Sequence, residues 1–147
     1  MFDLTLTFDN GPEPGVTPRV LDILRERVIK ATFFVIGEKL VDGERRKLAA
    51  RAHDEGHWIG NHTFTHSVPL GQQHDAETAE KEIGRTQAAI GDLAHTERWF
   101  RPFGGGGNLD TRLLKPSVVD YLRRNKHACV LWNAIPRDWD DPDGWAE

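Results

Sequence analysis

The 147 residues suit one domain, spanning 1–147, around a single core, and 38% hydrophobic with 29% charged residues is an ordinary globular balance. A net charge of −4, with Lys and Arg scattered apart from short clusters such as Arg45-Arg46-Lys47, excludes the basic surface that a nucleic-acid backbone requires. No apolar run approaches the ~18 residues of a membrane span, which argues against a membrane partner.

The N-terminal run MFDLTLTFD has no basic segment followed by an apolar core, so the chain as written reads as lacking a signal peptide and as cytoplasmic. Cys129 stands alone and forms no internal disulfide. From Phe2 to Phe8 apolar and polar residues alternate, which predicts a first strand. Thr17-Pro18 then reads as an N-cap with proline in the first turn, followed by Val20, Leu21, Leu24 and Val28 at helical spacing. ATFFVIG, Ala31 to Gly37, predicts a second strand. A helix over Glu44 to Glu55 follows, with Gly56 placed to stop it. His57 to Gly60 is a brief third strand. Asp75 to Ala94 predicts the longest helix, with Ala76, Ala79, Ile83, Gln87 and Ile90 along one side. Trp99 to Pro102 reads as a fourth strand, Ser117 to Asn125 as a helix, and Ala128 to Ala134 as a fifth strand. Strands alternating with helices predict an α/β fold of parallel βα units.

In such folds reactive residues collect at the C-terminal ends of the strands. Strand one ends at Asp9-Asn10, strand three runs into His62 and His66, strand four carries Arg101, and strand five leads to Asp138-Trp139. Strand two offers only Gly37 and Glu38. The spacing of His62 and His66 falls within the range of zinc ligands, and a catalytic zinc commonly takes two imidazoles and a carboxylate. Each residue also has a plainer reading. One His would cap a loop and the other face solvent; Asp9 would cap the turn at Gly11-Pro12; Arg101 would form a surface ion pair; Asp138 would cap the loop before Asp140. Their coincidence at one rim favours the functional reading.

With these motifs in view, the chain resembles the polysaccharide deacetylases, also called the NodB homology domain or carbohydrate esterase family 4. TFDNGP (Thr7 to Pro12) resembles the family's TFDDGP. KATFFVIGEKL (Lys30 to Leu40) looks like its second strand and loop. GHWIGNHTFTH (Gly56 to His66) is similar to GHEIGNHTxTH, RWFRPFGG (Arg98 to Gly105) to the arginine motif, and VLWNAIPRDW (Val130 to Trp139) to the later Asp-Trp motif. The resemblance implies a distorted (β/α) barrel of parallel strands and hydrolysis of an N-acetyl, less often an O-acetyl, group on a carbohydrate polymer. It implies Asp9 as catalytic base, Arg101 as the group that orients and neutralises it, and Asp138 as the acid that tunes a catalytic histidine. It implies His62 and His66 as ligands of a divalent metal, zinc first, cobalt or nickel as alternatives. Pro102, Phe103 and Trp139 would line the substrate groove, and backbone N–H groups near a glycine-rich turn expected at Gly104 to Gly107 would hold the oxyanion.

The sequence departs from the family twice. Asn10 stands where the family has its metal-binding Asp, so the third ligand would be an uncharged amide oxygen. Three outcomes stay open: weak ligation with activity kept, Asp9 moving onto the metal, or no metal. The family's Leu-x-His motif has no counterpart, since no His follows His127, and this reading leaves the barrel incomplete. A second copy of the chain is then one way to cover the open edge. A lesser departure is Ile135, where the family often has another Asp. The rival expectations are a carbohydrate-binding relative that has lost its chemistry, and a metal-independent amide hydrolase on the same fold. The substrate is open between chitin oligomers, peptidoglycan, an exopolysaccharide and acetylated xylan.

Overall fold

In a computed structural model of the chain, residues 3–105, 108–136, 138, 140, 141 and 143 are described. Three strands, β1 (Thr7–Gly11), β2 (Thr32–Val35) and β3 (Trp58–Asn61), form a parallel sheet in the order β1-β2-β3. Helix α1 (Thr17–Glu26) connects β1 to β2, and α2 (Gly43–Asp54) connects β2 to β3. The four residues of β2 are all buried, as expected of a strand covered on both faces.

Beyond β3 the parallel order continues through single residues: Asn61 bridges Phe100, and Phe100 bridges Cys129. The fourth and fifth strands expected from the sequence are therefore reduced to one bridging residue each. Pro102 supplies the reason. Arg101 N–H still donates to the Asn61 carbonyl at 2.8 Å, but Pro102 has no N–H with which to extend the ladder. The fifth segment pairs with Phe100 through Ala128 and Val130, and beyond that it meets no extended partner among the described residues.

The first strand also differs from expectation. It lies over Thr7–Gly11, so that Asp3 to Leu6 fall outside it, and carries a bulge; Phe2 lies outside the described residues. Asp9 pairs with Phe34 and Gly11 with Val35, while Asn10 between them adopts φ 70°. Asn tolerates this left-handed geometry better than most side chains. The peptide bond Gly11–Pro12 is cis.

Thr17 proves to be the first residue of α1 and not its cap. Its hydroxyl instead accepts the Glu13 N–H at 2.8 Å, while Pro18 sits in the first turn as expected. Leu21 and Leu24 are buried against the sheet, but Val28 lies past the helix end, 87% exposed. α2 is capped by Asp42, whose Oδ1 accepts from the N–H groups of Glu44 and Arg45. Gly56 follows it at φ 82°.

The long helix expected over Asp75 to Ala94 is divided. Glu80–Gly84 is a π-helical turn, Arg85–Ile90 is α3, and Gly91–Leu93 is a 3₁₀ turn. A side chain from the sheet accompanies the break: Asn61 Nδ2 donates to the Ile83 carbonyl at 2.9 Å. An inserted side-chain group of this kind is a recognised cause of irregular helix geometry. Helix α4 (Pro116–Arg124) buries Val118 and Leu122 one turn apart. Two apolar clusters result: one between the sheet and α1–α2, around Leu21, Phe33 and Ile59, and one under α4, around Ile83, Phe100 and Val118. Among the described residues no helix is long and apolar enough to cross a membrane.

Candidate active site

Asp9 lies at the bulged end of β1, His62 follows β3, and Arg101 follows the Phe100 bridge, so parallel segments of one sheet deliver all three to one rim. Arg101 is the hub. Its side chain is 3% exposed and stacks on the Phe34 ring, with the guanidinium carbon 4.0 Å from the centroid. Nη1 donates to Asp9 Oδ1 at 2.8 Å and to Thr7 Oγ1 at 2.7 Å. Nε donates to the Val130 carbonyl at 3.2 Å, and Nη2 to that of Leu131 at 3.3 Å. The planar fork therefore reaches β1 on one side and the fifth segment on the other, which a lysine ammonium could not do. Arg101 is thus bonded to Asp9 from a buried position and is not a surface pair.

Arg101 also sets the state of His62 through its backbone. The Arg101 carbonyl lies 2.8 Å from His62 Nδ1 and can only accept, so Nδ1 carries the proton and Nε2 a lone pair. Burial pushes the His62 pKa down; Asp9 and the carbonyl bond oppose this without cancelling it. His62 Nε2 lies 3.7 Å from Asp9 Oδ2. That is too long for a hydrogen bond, and with the imidazole neutral it is no ion pair. Two acceptors thus face a common point. Asp9 keeps its Oδ2 clear of Arg101 and is 27% exposed, so a small reactant can reach it.

His66 joins from the loop after β3. Its ring lies 4.8 Å from that of His62 and 4.1 Å from that of Phe103. Burial, then the neighbouring His62 and Lys39, lower its pKa to about 4, so it too is neutral near pH 7. The loop needs unusual backbone: Thr63 (φ 66°) and His66 (φ 51°) are both left-handed. His66 and Thr65 border an open cleft of about 450 Å³, shared with Ile36, Glu38, Lys39, Asp42 and Arg45.

Two neutral imidazoles, one with its tautomer set by a carbonyl, are a donor pair that fits a divalent cation. The third member is the weak one. Asn10 is exposed beside Asp9, and its backbone carbonyl accepts from Lys39 Nζ at 2.8 Å. Among the described residues no three His, Cys, Asp or Glu side chains are grouped to hold a metal ion. Pro102 is buried next to Arg101, and Phe103 packs on His66. Asp138 is exposed, on the segment after Pro136, and Trp139 lies outside the described residues.

Sequence reasoning missed Thr7, which shares Arg101 with Asp9, and Lys39, which reaches both the Asn10 carbonyl and Glu13. It also missed Glu82, buried on the π-helical turn with its carboxylate on the loop between the two histidines. One signal was present: Thr78, Glu82 and Thr86 recur every four residues and are all buried, a polar stripe beside the apolar one.

The polysaccharide deacetylase family profile matches residues 3–128. The chain is 40% identical over 140 residues to a chitooligosaccharide deacetylase of Rhizobium leguminosarum bv. phaseoli, covering 95% of this chain and 57% of that protein. It is 52% identical over 138 residues to the peptidoglycan-N-acetylmuramic acid deacetylase PdaA of Bacillus subtilis, covering 91% and 48%. The chain thus spans about half the length of these relatives. Among solved structures, a family 4 carbohydrate esterase from Streptomyces lividans in complex with acetate superimposes with a TM-score of 0.76 at 29% identity, covering 94% of this chain and 66% of that one. The parallel α/β architecture, the rim that gathers Asp9, His62, His66 and Arg101, and these similarities agree: the chain belongs to the polysaccharide deacetylase family.

Proposed function

We propose that this chain serves a metal-assisted hydrolase that removes the N-acetyl group from an amino sugar of a glycan. The observation that carries the reading is the Asp9 carboxylate, held by Arg101 through Oδ1 and turned through Oδ2 toward the lone pair of a neutral His62. The names of the relatives support the substrate class: one acts on chitooligosaccharide, another on peptidoglycan.

His62 and His66 would hold a divalent cation, with the Asn10 amide oxygen as the third protein ligand; bound there, it would lower the pKa of a water and polarise the acetyl carbonyl. The protein's own groups do the remaining work. Arg101 keeps the Asp9 carboxylate in one orientation and balances its charge. Asp9 Oδ2 takes the proton from the attacking water as its oxygen adds to the acetyl carbon. The C–N bond then breaks, acetate departs, and the proton that Asp9 received is the one the leaving amine nitrogen needs. His62 stays a fixed neutral donor because the Arg101 carbonyl binds its other nitrogen. Phe103 and the cleft beside His66 provide the apolar and polar walls for the sugar.

The uncharged Asn10 favours a second reading, in which the same groove binds an acetylated glycan without a cation. Acetate release from N-acetylated chitin and peptidoglycan fragments, with and without chelator, decides between them. The first reading expects turnover that chelator stops and zinc or cobalt restores, and stoichiometric metal that His62→Ala abolishes. Turnover unaffected by chelator and by His62→Ala would reject it. Asn10→Asp should tighten metal binding; unchanged affinity would place Asn10 outside the coordination sphere.

A further inference from the structure

We propose that Glu82, on the π-helical turn and outside the reacting groups, is the positioning residue that sets His66 opposite His62. The Phe64 and Thr65 N–H groups donate to Glu82 Oε2 at 3.0 and 2.9 Å, and the Thr65 hydroxyl donates to Oε1 at 2.9 Å. One carboxylate thus grips two consecutive residues, and on either side of them stand the left-handed Thr63 and His66. Left-handed backbone at a threonine and a histidine is costly and persists only when surrounding bonds over-determine it. Glu82 supplies three such bonds in the turn that decides where the His66 ring points.

The carboxylate is in turn held from behind. Glu82 is 7% exposed, its own carbonyl accepts from the Thr86 hydroxyl at 2.8 Å, and Asn61 ties the next residue, Ile83, to the strand end. Asn61 Oδ1 also accepts the Thr63 N–H at 3.1 Å, so the helix and β3 clamp both ends of the histidine-bearing segment. From the other side the Thr63 and Phe64 carbonyls accept the N–H groups of Gly37 and Glu38. A buried carboxylate is expensive unless its hydrogen bonds are complete. Here three of them go to one loop of the site. Gln at this position keeps an acceptor for the two N–H groups and a donor for the Thr65 oxygen; Ala keeps neither.

The functional consequence rests on the reading of His66 as a metal ligand, but the placement of His66 does not. The test compares wild type, Glu82→Gln, Glu82→Ala and, as a destabilised control on α1 in the other apolar cluster, Leu24→Ala. Cobalt and zinc affinities come from calorimetry on the full chain, and the imidazole nitrogen resonances of His66 and His62 from NMR without metal. Glu82→Ala should weaken metal binding roughly 10–100-fold, the range typical of partners that orient a ligand. It should shift the His66 resonances and leave those of His62, and Glu82→Gln should restore most of both. Leu24→Ala should lower stability and change neither. If Glu82→Ala leaves the His66 resonances where they are, the proposal is overturned, and equally if Leu24→Ala moves them as far. If wild type takes up no metal while the His66 shift appears, the metal reading fails and the positioning role stands.

Discussion

Replacing Arg101 by Met tests the centre of the arrangement. Met keeps an unbranched apolar stem against Phe34 but removes a guanidinium that bonds Asp9, Thr7, Val130 and Leu131. Removing one partner of a buried pair typically costs 3–5 kcal/mol, because a charge is left uncompensated. Asp9 is 27% exposed, so water compensates part of that charge, and the two backbone carbonyls are half-buried. The expected loss is about 3 kcal/mol, or roughly 6–12 °C in Tm for a domain of this size. Arg101→Lys should recover part of it, since an ammonium keeps the charge and loses the fork. Urea unfolding followed by circular dichroism measures each value, and a cycle with Asp9→Asn isolates the pair. In the Asp9→Asn background no charge remains to be orphaned, so Arg101→Met should cost at least ~1 kcal/mol less there. An Arg101→Met protein within about 0.5 kcal/mol of wild type would refute the reasoning. So would an identical cost in both backgrounds.

The buried histidines make stability depend on pH. His57 is 3% exposed and its Nδ1 accepts the Ala31 N–H at 3.2 Å, while burial, then the Lys30 ammonium, hold its pKa below 6.5. With the folded value below the unfolded one, the unfolded chain binds more protons in the window beneath about pH 6.5. Stability is therefore fully present above that pH and declines as pH falls toward the folded pKa. His57→Asn, which can accept the same bond without titrating, should flatten part of the decline; an equally steep one would count against His57. Gly37→Ala should destabilise by about 1–3 kcal/mol, since a Cβ there would lie 2.6 Å from Phe64 Cδ2 and meet Thr86 as well. Thermal unfolding reads this directly, and a Tm equal to wild type would show that α3 and the loop after β3 can move apart freely.

Much of the site was legible because its residues stand at strand ends in short motifs: Asp9 and His62 are where the alternation of strand and loop puts them. What was not legible depends on partners far along the chain. The bulge at Asn10 leaves no trace in the periodicity of Phe2 to Phe8. The fourth and fifth strands shrink to Phe100 and Cys129 because Pro102 cuts off the ladder, and a ladder depends on its neighbour as much as on its own residues. The long helix was read from one apolar stripe, yet Asn61, a side chain on another element, meets it at Ile83. Glu82 escaped notice because a glutamate amid a helix reads as solvent-facing until the loop it holds is seen.

The reach of Arg101 has a kinetic consequence. Its bonds to Thr7 and Asp9 join segments more than ninety residues apart, and those to Val130 and Leu131 add the segment that follows the Cys129 bridge. Closing so long a span is entropically slow, so this clasp is expected to fasten after the β1-β2-β3 nucleus has formed. During synthesis Asp9 is made well before Arg101, so its carboxylate stays unclasped until the later segment has followed. Loosening the clasp should then quicken unfolding far more than it delays folding.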